Sequence, residues 1–141
     1  MNQHGILHKL MLVVILVAGF GLALTLPAWK KHTDQRHAHQ AVHILQQLAE
    51  RESAFYAQHG VYSADLISLT TDPACHPEVR EGQSRMQCAE YEISLEQAHV
   101  LQAHSLKYPQ WFELDIENPH LQCEYETDSA VGALLCKAVH L

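Results

Sequence analysis

Between Leu10 and Trp29 the sequence carries no charged side chain, and ahead of Lys9 it carries neither Lys nor Arg. The first absence excludes a solvated surface helix over that run, because such a helix needs a polar face. The second removes the basic stretch that normally precedes the apolar region of a cleaved secretory signal. No cysteine pair shows the spacing of about two to four residues that structural zinc sites favour. There is no HExxH pair, no nucleophile elbow and no glycine-rich phosphate loop, so the motifs of zinc proteases, α/β-hydrolases and P-loop enzymes are all missing. The expectation is a protein that is not an enzyme and has no cofactor. Bases are scarce towards the carboxyl end: from Asp72 onward 12 acids face 4 bases. That portion lacks the basic footprint that nucleic acid requires, and no nucleic-acid partner is expected. No internal repeat or low-complexity tract is visible.

What is present is unevenly spread. The 141 residues are 48% hydrophobic with a formal net charge of -7, and their number matches one domain on the usual range of roughly 100 to 200 residues. Ile6 to Trp29 reads ILHKLMLVVILVAGFGLALTLPAW. A helix needs about 20 apolar residues to cross a hydrocarbon core of roughly 30 Å, and a domain this small could not surround so many on every side. Residues 6–29 therefore read as a membrane span. Lys30, Lys31 and Arg36 outnumber Lys9, which by charge alone would hold the carboxyl side in the cytoplasm. The cysteines argue the reverse. Cys75, Cys88, Cys123 and Cys136 all lie beyond the span, and an even count in a small domain suits an oxidising compartment. The sequence-adjacent pairs, Cys75 with Cys88 and Cys123 with Cys136, each enclose 12 residues. Closing such a loop contributes about 3 kcal/mol on the chain-entropy account. Zinc and free thiols are the competing uses of these four residues.

Past Pro27 the helical pattern continues through Ala38, Ala41, Val42, Leu45, Leu48, Ala49, Phe55 and Tyr56, with a kink expected at the proline. Gln46, Gln47, Glu50, Arg51 and Gln58 supply the wet side, and Gly60 is a natural stop. Ser63 stands as a cap for a short turn over 64–69. Thr70 to Gln87, with Pro73, Pro77 and Gly82, reads as an irregular loop pinned by the first cysteine pair. The period then changes to two. Tyr91, Ile93 and Leu95 alternate with polar neighbours, and short runs follow at 100–106, 111–116, 121–126 and 133–139. The fold class expected is α+β: a long amino-terminal helix, half membrane span and half amphipathic, packed on a four- or five-stranded antiparallel meander spanning 88–141. Tyr108-Pro109 and Asn118-Pro119 mark turns.

Twelve histidines raise the question of a metal. His39 and His43 stand four apart on the expected helix, with His32 and Arg36 near the same face, but no third ligand is evident. A solvated helix face is the expectation, and no metal site is assigned. Trp111 and Phe112 are adjacent, so alternation puts one inside the sheet and one outside.

An apolar amino-terminal helix running into an amphipathic one, then a disulfide-closed meander, resembles the type IV pilins and related pseudopilins. Gly5 followed by Ile6 is similar to the prepilin peptidase site, with residues 1–5 as a short leader. Counted from Ile6, Pro27 falls where many members carry the proline that breaks the membrane helix. Leu24 to Lys31, LTLPAWKK, resembles the family's exit from the bilayer, and Arg51 to Tyr62, RESAFYAQHGVY, resembles its helix ending. Cys123 and Cys136 resemble the pair that closes the pilin's carboxyl region, here expected to bracket a last hairpin. The resemblance implies a cytoplasmic amino terminus and a head over 30–141 outside the inner membrane. It implies prepilin cleavage, methylation of the new amino terminus, and assembly with other pilin subunits. One position departs from the pattern: members that polymerise usually carry Glu as the fifth residue after the cut, and here that residue is Leu10. The departure points to a minor or terminal subunit. The alternatives are a non-polymerising, membrane-anchored periplasmic protein and a pseudopilin of a type II secretion system.

Overall fold

The computed structural model describes residues 3–80, 83–97 and 99–139, and the chain divides into two compact units, 1–34 and 35–141. One helix, α1 (Gln3–His59), enters both and runs through Pro27 without an assigned break. In the first unit every large apolar side chain from Ile6 to Trp29 is exposed, from 54% at Leu12 to 73% at Trp29. Helical geometry gives those residues a length of about 36 Å, enough to span a bilayer. The polar hydroxyls here are satisfied within the helix: Thr25 Oγ1 donates to the Leu22 carbonyl and Thr33 Oγ1 to that of Trp29, each at 3.1 Å.

In the second unit the same helix is amphipathic. Ala38, Ala41, Val42, Leu45, Leu48 and Ala49 are buried at three- and four-residue spacing, and Ile44 joins them. They pack into one core with the inner face of an antiparallel sheet. Gly60, at φ +72°, ends the helix in the left-handed conformation, and its amide donates to the Tyr56 carbonyl at 2.8 Å.

The sheet has six strands in sequential order: β1 (Cys75–Arg80), β2 (Gln83–Cys88), β3 (Tyr91–Glu96), β4 (Val100–Ser105), β5 (Gln110–Asp115) and β6 (Leu121–Tyr125). The expected meander is present but longer than four or five strands, and it occupies 75–125 rather than 88–141. Thr70 to Gln87 is not an irregular loop: its second half is the β1–β2 hairpin. That hairpin is hard to read in the sequence because its apolar pattern is thin, and Pro77 is tolerated only because β1 is an edge strand with one partner. At the other end, 133–139 lies within a helix, α3 (Ala130–Val139), rather than a strand. Its buried positions, Gly132, Leu135, Cys136 and Val139, follow helical spacing, and its Ala and Leu content favours that state. The short helix α2 (Leu66–Leu69) is capped by Asp65, whose carboxylate accepts from the Ile67 and Ser68 amides, so Ser63 is not the cap.

Alternation sets the two sheet faces. Met86, Tyr91, Ile93, Leu101, Ala103, Phe112 and Leu114 point into the core. The Tyr91 hydroxyl donates to buried Gln110 Oε1 at 2.9 Å, which satisfies the one polar group that this large ring brings inside. The opposite face carries Glu92, paired with Arg85 at 2.7 Å, and Glu113, which accepts from Gln102 at 2.9 Å.

Candidate functional site

The most unusual surface on this protein is the apolar half of α1. Among the described residues its large apolar side chains are exposed, although water is a poor environment for some 20 consecutive apolar residues. The described residues contain this one helix long and apolar enough to cross a membrane, by length and composition. Exposed patches of such size mark a membrane or an interaction surface. Gly19 and Gly21 lie within it, and a Cβ built at either position meets nothing within 4 Å. A neighbouring helix could approach most closely at these glycines.

Gly5 lies within α1, and Ile6 and Leu10 are 69% and 66% exposed. Pro27 has no amide hydrogen to donate, yet the helix assignment continues past it. Cys75 is bonded to Cys88 and Cys123 to Cys136. The first bond joins directly opposed residues of β1 and β2, with Cα atoms 4.1 Å apart. The second ties β6 to α3 with Cα atoms 5.5 Å apart, and so does not bracket a hairpin.

His39 and His43 are exposed, and His43 Nε2 lies 3.1 Å from Gln47 Nε2. Among the described residues no group of three or more His, Cys, Asp and Glu side chains could hold a metal ion. His37 meets Glu90 at 3.3 Å, and Lys107 reaches the same carboxylate oxygen at 3.7 Å, so the helix, the β2–β3 turn and the β4–β5 turn meet at one carboxylate. Phe112 is buried and Trp111 stacks on His104 across the neighbouring strand at 5.7 Å, as alternation expects. An open groove of about 360 Å³ runs between Ala49 and Ser53 of α1 and Leu114, Ile116 and Leu121.

Sequence reasoning missed a pair of adjacent charges. Arg51 does not belong to the wet side: its guanidinium donates to the Leu69 carbonyl and, at 3.1 Å, to Thr71 Oγ1. Glu52 is fully buried, and its Oε2 accepts from the Ser63 amide at 2.8 Å. Burial raises the Glu52 carboxyl above the ordinary glutamate range, and the Ser63 hydrogen bond opposes that rise only in part. Position 52 follows Leu45, Leu48 and Ala49 at helical spacing, and this was the available signal. Tyr62 stacks on Tyr56 with ring centres 4.6 Å apart.

Comparison with family models, with curated proteins and with solved structures finds no match to this chain.

Proposed function

We propose that this chain is a structural subunit of a type IV pilus or a related filament, and a minor one. The observation that carries the reading is the division of α1: one half is apolar and wholly exposed, and the other is buried against an antiparallel sheet closed by two disulfides. In this reading prepilin peptidase cuts between Gly5 and Ile6. The segment Ile6–Trp29 sits in inner-membrane lipid until assembly, with the amino terminus cytoplasmic and the head periplasmic. It then packs against equivalent helices of other subunits, where close contact along the helix supplies cohesion. The role is mechanical rather than catalytic.

Leu10 supports the restriction to a minor or terminal position. A carboxylate within the apolar segment would be costly in lipid unless paired, and in the resembling family it is thought to meet a neighbour's amine. This chain has an amine to offer from Ile6 but no acid to give in return. The same residue favours the second reading, a non-polymerising periplasmic protein that uses the span as a tether. A type II secretion pseudopilin is a closer variant of the first. Intact-mass measurement of the chain isolated from its host separates them. A mature species beginning at Ile6, with an added methyl group, is the expected result; retention of Met1 to Gly5 in every molecule would rule out the pilin mechanism.

A further inference from the structure

We infer that Glu52 is a pH-operated clasp on the segment between Gly60 and Leu69: the neutral carboxyl holds Ser63 against the helix, and ionisation loosens it.

The geometry is that of a single-point latch. Glu52 has no exposed surface, Oε2 accepts from the Ser63 amide at 2.8 Å, and Oε1 is buried with no hydrogen-bond partner among the described residues. A neutral carboxyl leaves one unpaired polar atom there, which costs less than an unpaired charge. A carboxylate would leave a full charge against an apolar wall with one oxygen bare, and buried ions without partners are strongly disfavoured.

The charged and titratable groups of the elements around it are engaged elsewhere. Arg51, next along the helix, is bound to Leu69 and Thr71. His59 stacks on Phe55 and its Nδ1 lies 3.0 Å from the Phe55 carbonyl. Asp65 caps α2, which itself contains no titratable side chain, and Asp72 accepts from the Ala74 amide at 2.9 Å. The carboxylates Asp115 and Glu117 act on Tyr62. Burial and the Ser63 amide act on Glu52 in opposite directions, and burial dominates.

Opening has defined limits. Gly60, already in the left-handed region, is the hinge on one side, and the Arg51 contacts to Leu69 and Thr71 hold the other. Ser63 follows Tyr62, so release of the amide also frees the Tyr62 ring from Tyr56, which is already 46% exposed. With the segment open, Glu52 meets water and titrates as an ordinary glutamate. The closed state therefore has the raised value and the open state the ordinary one. Closure is fully favoured below the ordinary glutamate range and weakens as pH rises through the raised value.

The test is hydrogen exchange at the Ser63 amide of the full chain in detergent micelles, corrected for base catalysis. Protection is expected to fall by about threefold or more between about pH 4.5 and about pH 8. It should stay level in Glu52→Gln, which keeps an acceptor and cannot ionise. Level protection in the unaltered chain, the same fall in Glu52→Gln, or an equal fall at the Ile93 amide in the sheet would each overturn the clasp. Should the variant not fold, the Glu52 carboxyl carbon of the unaltered chain can be titrated by NMR. A midpoint above the ordinary glutamate range is expected, and one within or below it refutes the proposal.

Discussion

Gly132 decides how α3 sits. A Cβ there would lie 2.8 Å from the Tyr125 Cβ and 2.9 Å from Ser129 Oγ, which itself accepts from the Gly132 amide at 3.0 Å. Alanine is the better helix former by about 1 kcal/mol, but the Tyr125 Cβ is fixed to its own backbone and cannot step aside. Overpacking of this kind costs about 1–3 kcal/mol, so Gly132→Ala is expected to lower the thermal midpoint despite its helix propensity. A raised midpoint would show that α3 can shift on β6. Arg51 is a second residue whose role lies in position rather than charge. Arg51→Ala removes two hydrogen bonds, to Leu69 at the end of α2 and to Thr71 just after it, worth about 1–2 kcal/mol for a half-buried cation. Limited proteolysis between Gly60 and Asp72 should accelerate, and Arg51→Lys should restore little because an ammonium cannot reproduce the guanidinium fork. The burial of Glu52 had a trace in the helical spacing, but the partners of Arg51 and Glu52 had none, since a hydrogen bond to a group some 10 to 20 residues away leaves no periodic mark.

The elements were legible where a period ran unopposed. The apolar and amphipathic halves of α1, its stop at Gly60, and the strands β3 to β6 all carry spacing that burial then follows. The hairpin β1–β2 carries almost none: among the described residues it buries Met86 and Cys88 while Pro77 is exposed, so the Cys75–Cys88 bond adds closure that apolar side chains supply elsewhere. In α3 the error had the opposite origin, because a short run rich in apolar residues fits either period until the burial of Gly132, Leu135, Cys136 and Val139 selects one. This difference bears on the disulfides. The Cys123–Cys136 bond joins α3 to the edge strand β6 beside the buried Leu135 and Val139, whereas Cys75–Cys88 reinforces a hairpin already paired in register. Replacing Cys123 and Cys136 together by Ser is expected to cost about 3 kcal/mol. The loss should concentrate in α3, so amide exchange should rise there well before it rises in β3. Equal acceleration in both would mean that α3 unfolds only with the whole sheet.

Across the whole molecule the hydrophobic residues form two populations with different destinations. Those of 35–139 are mostly spent on one core around the sheet, while the large apolar side chains of 6–29 are exposed. A cleaved signal and a permanent anchor both contain such a segment, and they differ in whether the mature protein keeps it. The length of the apolar run, about 20 residues or more, favours keeping it. The mature chain should then fractionate with membranes and resist alkaline extraction. Val17 lies near the middle of the run and is 67% exposed. An arginine at the centre of a spanning helix costs about 2.5–3.5 kcal/mol on insertion scales, so Val17→Arg should shift a substantial share of the chain to the extractable fraction while the disulfide-closed part stays folded. Extraction of the unaltered chain under the same conditions would mean that residues 6–29 are not held in lipid, and their apolar surface would then need a protein partner along its whole length.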